Sequence, residues 1–256
     1  MAIFSLLAGA GASIGLWRVY RRGNRLLPGP WLDAGWIALL AGLLGARLAY
    51  VGVHFTYYAS HALEAGALWK GGFTWWGLVA GILAGMGIAS LVYRKPFKQT
   101  ADVLFDLVPP LAGLVWLGCW FEGCGYGRVL AEGAYLRVPA CDESGAIAMR
   151  FPLQLAAAAS LTIAFILLER WIRNLPPDGL RASLGAVLLG LHTLLFSLWV
   201  QDPQPVWHGQ AAMFWQALAL LVIGLLSCAI LWKQVRSLLQ QPPISSEEGI
   251  HEIIGD

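Results

Sequence analysis

Residues Ala211–Trp232 read AAMFWQALALLVIGLLSCAILW, an apolar run of 22 residues without a single charge. At 1.5 Å per residue a helix of that length matches a ~30 Å hydrocarbon core. Five further runs of membrane-spanning length precede it, at Trp31–Val53, Phe73–Tyr93, Val103–Phe121, Pro152–Leu168 and Ser183–Val200, with a shorter one at Ala2–Trp17. The composition agrees: 58% of the 256 residues are hydrophobic and 12% charged, against roughly 25% charged in soluble domains. Mean hydropathy is +0.63. These features exclude a soluble globule and predict an all-α, polytopic membrane protein of about seven transmembrane helices.

The connections carry an independent signal, because cytoplasmic loops collect Lys and Arg. Arg18, Arg21, Arg22 and Arg25 follow the first run, Arg94, Lys95 and Lys98 the third, Arg170, Arg173 and Arg181 the fifth, and Lys233 and Arg236 the seventh. The alternate connections are poor in positive charge: His54–Gly72 has only Lys70, Gln201–Gln210 has none, and Glu122–Arg150 balances its arginines with acids. This predicts an amino terminus outside and a carboxyl terminus in the cytoplasm. The first run, about 16 apolar residues, would cover only ~24 Å, so it is expected to tilt and thin the bilayer, or the chain starts late. No positive region precedes it, so a cleaved signal peptide is not expected. Residues 1–239 are read as one transmembrane domain and 240–256, with Pro242, Pro243, Ser245, Ser246, Glu247 and Glu248, as a disordered cytoplasmic tail. No repeat of fixed period appears.

Three polar clusters interrupt this apolar chain. An arginine at membrane depth is costly unless it meets a partner, water or an anion, which makes each cluster a candidate site. Arg47 and Tyr50 share a helix face near the outer end of the second run. The guanidinium can bind a lipid phosphate bidentately while the tyrosine donates; alternatively, the pair is a snorkelling arginine with an aromatic-belt neighbour. In the second cluster Gly118, Gly123, Gly125 and Gly127 predict a broken helix, whose freed N–H groups form an anion nest. Glu122, Tyr126 and Arg128 would then be acid/base, hydroxyl donor and phosphate-binding cation; the plainer reading is an extracytoplasmic turn. In the third, Pro152 fits a helix start, and Arg150 either anchors at the interface or meets phosphate. Trp75 and Trp76 read as an aromatic belt.

Cys119, Cys124 and Cys141 fall on the predicted outer side, where a disulfide can persist, and Cys119 could approach Cys124 if the helix breaks at Gly123. They are expected to be structural. No Cys/His spacing fits a metal site, and His192 on its apolar helix reads as a hydrogen-bonded packing residue.

In order and topology these clusters resemble the prolipoprotein diacylglyceryl transferases of bacterial inner membranes, from about Trp17 to Gln201. Gly45-Ala46-Arg47-Leu48-Ala49-Tyr50 resembles the family's Gly-Gly-Arg-x-Gly-Tyr stretch. Asp102 matches its aspartate before the fourth helix; Gly118, Gly123, Gly127 and Arg128 match its glycine-rich signature; Arg150, Pro152, Gln154 and Leu155 match its Arg-x-Pro-x-Gln-Leu. The chain departs where the family has the histidine of His-Gly-Gly, here Trp76, and where it has the signature arginine, asparagines and glutamate, here Trp116, Cys119, Glu122 and Cys124. The family's sixth-helix arginine and glutamate fall near Thr193 and Ser197, and its first-helix tyrosine has no counterpart. The resemblance implies seven helices with the amino terminus outside, and diacylglyceryl transfer from phosphatidylglycerol to the lipobox cysteine thiol of a preprolipoprotein, with no cofactor, metal or nucleic acid. Arg47, Arg128 and Arg150, with Gly123, Gly127 and Gln154, are the expected phospholipid-binding residues, and Glu122, Tyr50 and Tyr126 the expected catalytic ones. The alternative is a non-catalytic or retargeted phospholipid-binding relative. A small-solute transporter is disfavoured, since there is no inverted repeat and the polar groups sit at one side.

Overall fold

The computed structural model describes residues 2–26, 28–172, 179–203 and 206–239. The expected tail, 240–256, and Arg173 lie outside them. The elements in chain order are α1 (Ala2–Leu26), α2 (Trp31–Val53), the short helices α3 (Phe55–Ser60) and α4 (Ala62–Ala65), α5 (Trp75–Val92), α6 (Phe97–Leu104), α7 (Val108–Glu122), strands β1 (Val138–Cys141) and β2 (Ile147–Arg150), α8 (Leu153–Ile172), α9 (Leu180–Ser197), strands β3 (Val206–Trp207) and β4 (Gln210–Ala211), and α10 (Ala212–Leu239). Among the described residues seven helical spans are long and apolar enough to cross a membrane, α6 and α7 forming one of 26 residues through a 3-10 turn at Phe105–Leu107. The protein is an all-α polytopic membrane protein.

The first span corrects the sequence reading. α1 does not stop at Trp17 but continues through Arg18, Arg21, Arg22 and Arg25 to Leu26, 25 residues or ~37 Å. Two of its arginines meet carboxylates there: Arg18 pairs with Glu169 of α8, and Arg18 and Arg22 both approach Asp106.

Between helices in lipid there is no hydrophobic drive, so close backbone approach does the packing. α2 and α5 cross on facing glycines: a Cβ on Gly45 would fall 2.5 Å from the Gly77 carbonyl, and one on Gly77 would fall 2.5 Å from the Gly45 carbonyl. α1 meets α7 in the same way, a Cβ on Gly11 reaching 2.9 Å from Leu111 Cα. Gly118 belongs to this second set. It sits inside α7 against Phe4, not in the helix break where its spacing suggested. Buried Asp102 ties α6 to α9 by accepting from the Gly179 and Ala182 amides at 2.8 Å each, neutralising the exposed N–H groups at the helix start.

Because the spans run antiparallel, the connections holding the three polar clusters lie at one end of the bundle. The long Glu122–Arg150 connection there is not a plain loop. β1 and β2 pair antiparallel from Val138↔Arg150 to Cys141↔Ile147, and Asp142 shapes the turn by accepting from the Ser144 amide and hydroxyl and the Ala146 amide.

Candidate functional site

α7 ends at Gly123, whose φ of 74° is the left-handed conformation that closes helices. The break expected in the glycine-rich cluster therefore falls here, and Gly125 at φ 62° turns the chain again. Cys119 and Cys124 form a disulfide across the break, with Cα atoms 4.7 Å apart. The turn brings Tyr126, Gly127 and Arg128 back along β2, where the Leu130 amide donates to the Met149 carbonyl and the Phe151 amide to the Arg128 carbonyl.

This pairing delivers the third cluster onto the second. The Arg150 guanidinium, 9% exposed, lies 4.4 Å from the Tyr126 ring centroid, donates from Nη2 to Asp142 at 3.1 Å and from Nη1 to the Gly127 carbonyl at 3.4 Å. Gln154, 1% exposed, donates from Nε2 to the Cys124 carbonyl at 3.0 Å. Among the described residues Arg150 Nε and Gln154 Oε1 are buried without a hydrogen-bond partner. Gly127 has no space for a side chain, since a Cβ would press on the Phe151 carbonyl, and Gly123 is likewise closed by the Asp142 backbone. The two glycines are thus required by close packing of the cradle.

Asp202, just beyond α9, holds the turn from the other side. Its carboxylate accepts from the Gly125 amide at 2.6 Å and the Tyr126 amide at 3.2 Å, while the Gln201 amide donates to the Tyr126 carbonyl. The sequence reading missed it. An acid one residue before a proline in a short loop carries no motif, and only the fold brings it 76 residues back along the chain.

Burial drives the electrostatics here. The Tyr126 hydroxyl is pushed up to about 12, first by burial and then by its hydrogen bond to Glu143, so it stays protonated and serves as a donor. Burial raises Asp202 against the opposing pull of the two amides. Asp142 is held below the ordinary carboxylate range, chiefly by the Ser144 hydroxyl.

Arg128 is exposed and lines an open cavity of about 270 Å³ with Leu130, Ala134, Tyr135, Phe151 and Trp199. Glu122, the last residue of α7, is half-buried at the helix end. Apolar walls beside a cation suit an amphiphile whose anionic group meets Arg128.

Arg47 stands apart from this cradle. Its guanidinium, 3% exposed, donates to the carbonyls of Glu64 (2.7 Å), Ala65 (2.9 Å), Gly71 and Gly72 (3.2 Å), and lies 5.8 and 5.3 Å from the Tyr50 and Tyr58 rings. So enclosed, the guanidinium clamps the 54–74 connection. Tyr50 packs beside it against His54, with ring centroids 4.2 Å apart.

Several of the positions that depart from the family pattern form packing. Trp116 leans on Phe196 and lies under Gly125, Thr193 and Ser197 are buried, and His192 bonds to Ser160 at 2.9 Å and stacks on Phe196 as a packing residue would. Trp76 is 38% exposed.

The family model for prolipoprotein diacylglyceryl transferase matches residues 1–232. The phosphatidylglycerol–prolipoprotein diacylglyceryl transferase of Desulfotalea psychrophila is 32% identical over 177 residues, 66% of this chain and 64% of that protein. Its counterpart in Dechloromonas aromatica is 26% identical over 82% of each chain, and that of Cupriavidus pinatubonensis 25% identical over 84% of this chain and 79% of its own. The aligned part thus spans just under two thirds of the first relative.

Proposed function

The chain belongs to the prolipoprotein diacylglyceryl transferase family, and from that premise we propose that it transfers the diacylglyceryl group of phosphatidylglycerol to the lipobox cysteine thiol of a preprolipoprotein in the bacterial inner membrane, with the polar end of the bundle facing outward. The observation that carries the proposal is the Arg150 cradle: a buried guanidinium packed against the glycine-rich turn, with an unused Nε–H.

In this reaction the acceptor sulfur attacks the glycerol carbon that bears the phosphate ester. The carbon–sulfur bond forms as the carbon–oxygen bond breaks, glycerol-1-phosphate departs with the bonding pair, and the thiol proton passes to a base. Negative charge grows on the departing phosphate, where preorganised cations act best. Arg150 and Arg128 are the proposed phosphate ligands, Tyr126 a neutral donor that exchanges Glu143 for a phosphate oxygen, and Glu122 the base that takes the proton. Gly123, Gly127 and Gln154 shape the cradle. Arg47 and Tyr50 position the 54–74 connection at the rim.

Reconstituted transfer tests this: labelled phosphatidylglycerol, a lipobox peptide and the purified full chain, alongside complementation of a transferase-depleted strain. Label on the peptide thiol is the expected result. A folded, inserted protein that neither labels the peptide nor complements, yet still binds phosphatidylglycerol, would overturn the transfer reading in favour of a lipid-binding role.

A further inference from the structure

At the other end of the bundle, three arginines surround one carboxylate. Asp106, 2% exposed, has Arg18 Nη2 at 3.6 Å and Arg181 Nη2 at 3.5 Å from Oδ1, and Arg22 Nε at 3.8 Å from Oδ2. These separations are at or beyond the limit of a hydrogen bond. Arg18 pairs in addition with Glu169, and Arg181 Nη1 donates to the Ile172 carbonyl. Asp102, another acid nearby among the described residues, already accepts from two amides of α9. Lys98 lies alongside, its side chain against Gly179.

The cluster is therefore rich in unused donors. Among the described residues the Nε–H groups of Arg18, Arg22 and Arg181 are all buried without a hydrogen-bond partner, and Arg181 as a whole is 1% exposed. A guanidinium offers five N–H donors, and buried donors left unpaired are costly. The cluster is also open on one side, since the side chains of Arg18, Arg22 and Glu169 keep about a quarter of their surface exposed: 28, 26 and 23%.

We propose that Arg18 and Arg22 bind the phosphate of an anionic phospholipid in the leaflet at this end, a site separate from the proposed transfer centre, with Asp106, itself paired to Arg181, keeping the two ligands in place. A guanidinium matches a phosphate bidentately, and basic pockets between transmembrane helices are recurrent headgroup sites. Glu169 faces the same opening. It selects against a dianion, and so favours the singly charged phosphodiester of a lipid over inorganic phosphate.

The test is lipid retention by the purified full chain in native mass spectrometry, with phosphatidylglycerol, phosphatidylcholine or inorganic phosphate added. It is run in an Arg128→Gln, Arg150→Gln background so that the proposed transfer site does not contribute. The expected result is one retained phosphatidylglycerol, little phosphatidylcholine, and a loss of about tenfold or more in retention with Arg22→Gln, since a charge-assisted bidentate pair is removed. Arg25→Gln, an exposed change on the same helix, should retain lipid as before. Should Arg22→Gln fail to fold by circular dichroism, Arg22→Lys decides, with retention between the two. Undiminished retention in a folded Arg22 variant overturns the site and leaves a structural ion network. Competition by inorganic phosphate at equal strength overturns the lipid assignment while keeping an anion there. Because the readout is binding, failure of the transfer reaction would not move it.

Discussion

Arg150 and Tyr126 show how one residue's surroundings set what it can do. Arg150 divides its donors between Asp142 and the Gly127 carbonyl while its plane lies over Tyr126; a lysine would keep the charge but lose the fork and the stacking surface. Arg150→Lys is therefore expected to lower transfer by about 10²-fold, within the range for removing one preorganised donor, with little change in helix content; turnover equal to wild type would remove Arg150 from the site. For Tyr126 the ionisation lies at about 12, and its acid form is the working one. Loss of the proton on raising pH comes only near that value, so Tyr126→Phe should depress turnover by one constant factor between about pH 6 and about pH 10. A deficit that widens or vanishes within that window would mean that the hydroxyl titrates in the reaction. Asp202 acts through its two amides. Asp202→Ala leaves the Gly125 and Tyr126 N–H groups without their acceptor, at roughly 1–3 kcal/mol for a buried unpaired donor, whereas Asp202→Asn keeps one carbonyl oxygen. Chemical denaturation and turnover should both rank wild type, then asparagine, then alanine. An alanine variant as stable and active as wild type would show that the turn holds itself.

Elements were legible where periodicity and composition speak for themselves. The second span coincides with its apolar run, Trp31–Val53, and the third, fifth, sixth and seventh agree with theirs to within a few residues at most ends. The exceptions have physical causes. α1 runs past its apolar stretch because two of its arginines find Asp106 and Glu169 in helices far along the chain, and α7 keeps Gly118 in its interior because Phe4 of α1 takes the room a side chain would need. The β1–β2 hairpin was invisible for a similar reason, since its four-residue strands carry no clean alternation and depend on the Asp142 turn. The glycine pairing of α2 with α5 is open to direct test. In Gly81→Leu the added side chain would meet the Ala41 carbonyl and Gly42, and overpacking of this kind costs about 1–3 kcal/mol or more. The melting temperature in detergent should fall well below that of Gly87→Leu, at a position where nothing lies within 4 Å. Equal melting of the two would mean that α2 and α5 do not rely on that contact.

At the scale of the molecule, polar chemistry is sorted to two ends of an apolar bundle, the Arg150 cradle at one and the Asp106 cluster at the other. The three polar motifs announced the first because each breaks an apolar run. What they could not announce was that Arg47 spends its donors on the 54–74 connection while Arg150 meets Tyr126 and Asp142 and Arg128 lines the open cavity, since partner choice depends on which connection folds over which. Nor does the fold say which end faces out; only the Lys and Arg bias does, and it proposes that the cradle is extracytoplasmic. The chain carries its own reporter for this. Cys141 is an exposed free thiol at the end of β1, beside the cradle, while Cys228 is half-buried within the α10 span, and Cys119 and Cys124 are joined. A membrane-impermeant maleimide added to intact spheroplasts should therefore label the wild-type chain once, and Cys141→Ser should abolish the label. If Cys141 reacts only after the membrane is permeabilised, the polar end faces the cytoplasm. An outward-facing lipid-transfer site, and with it the proposed access of an exported acceptor, would then be wrong even though every contact in the cradle stood unchanged.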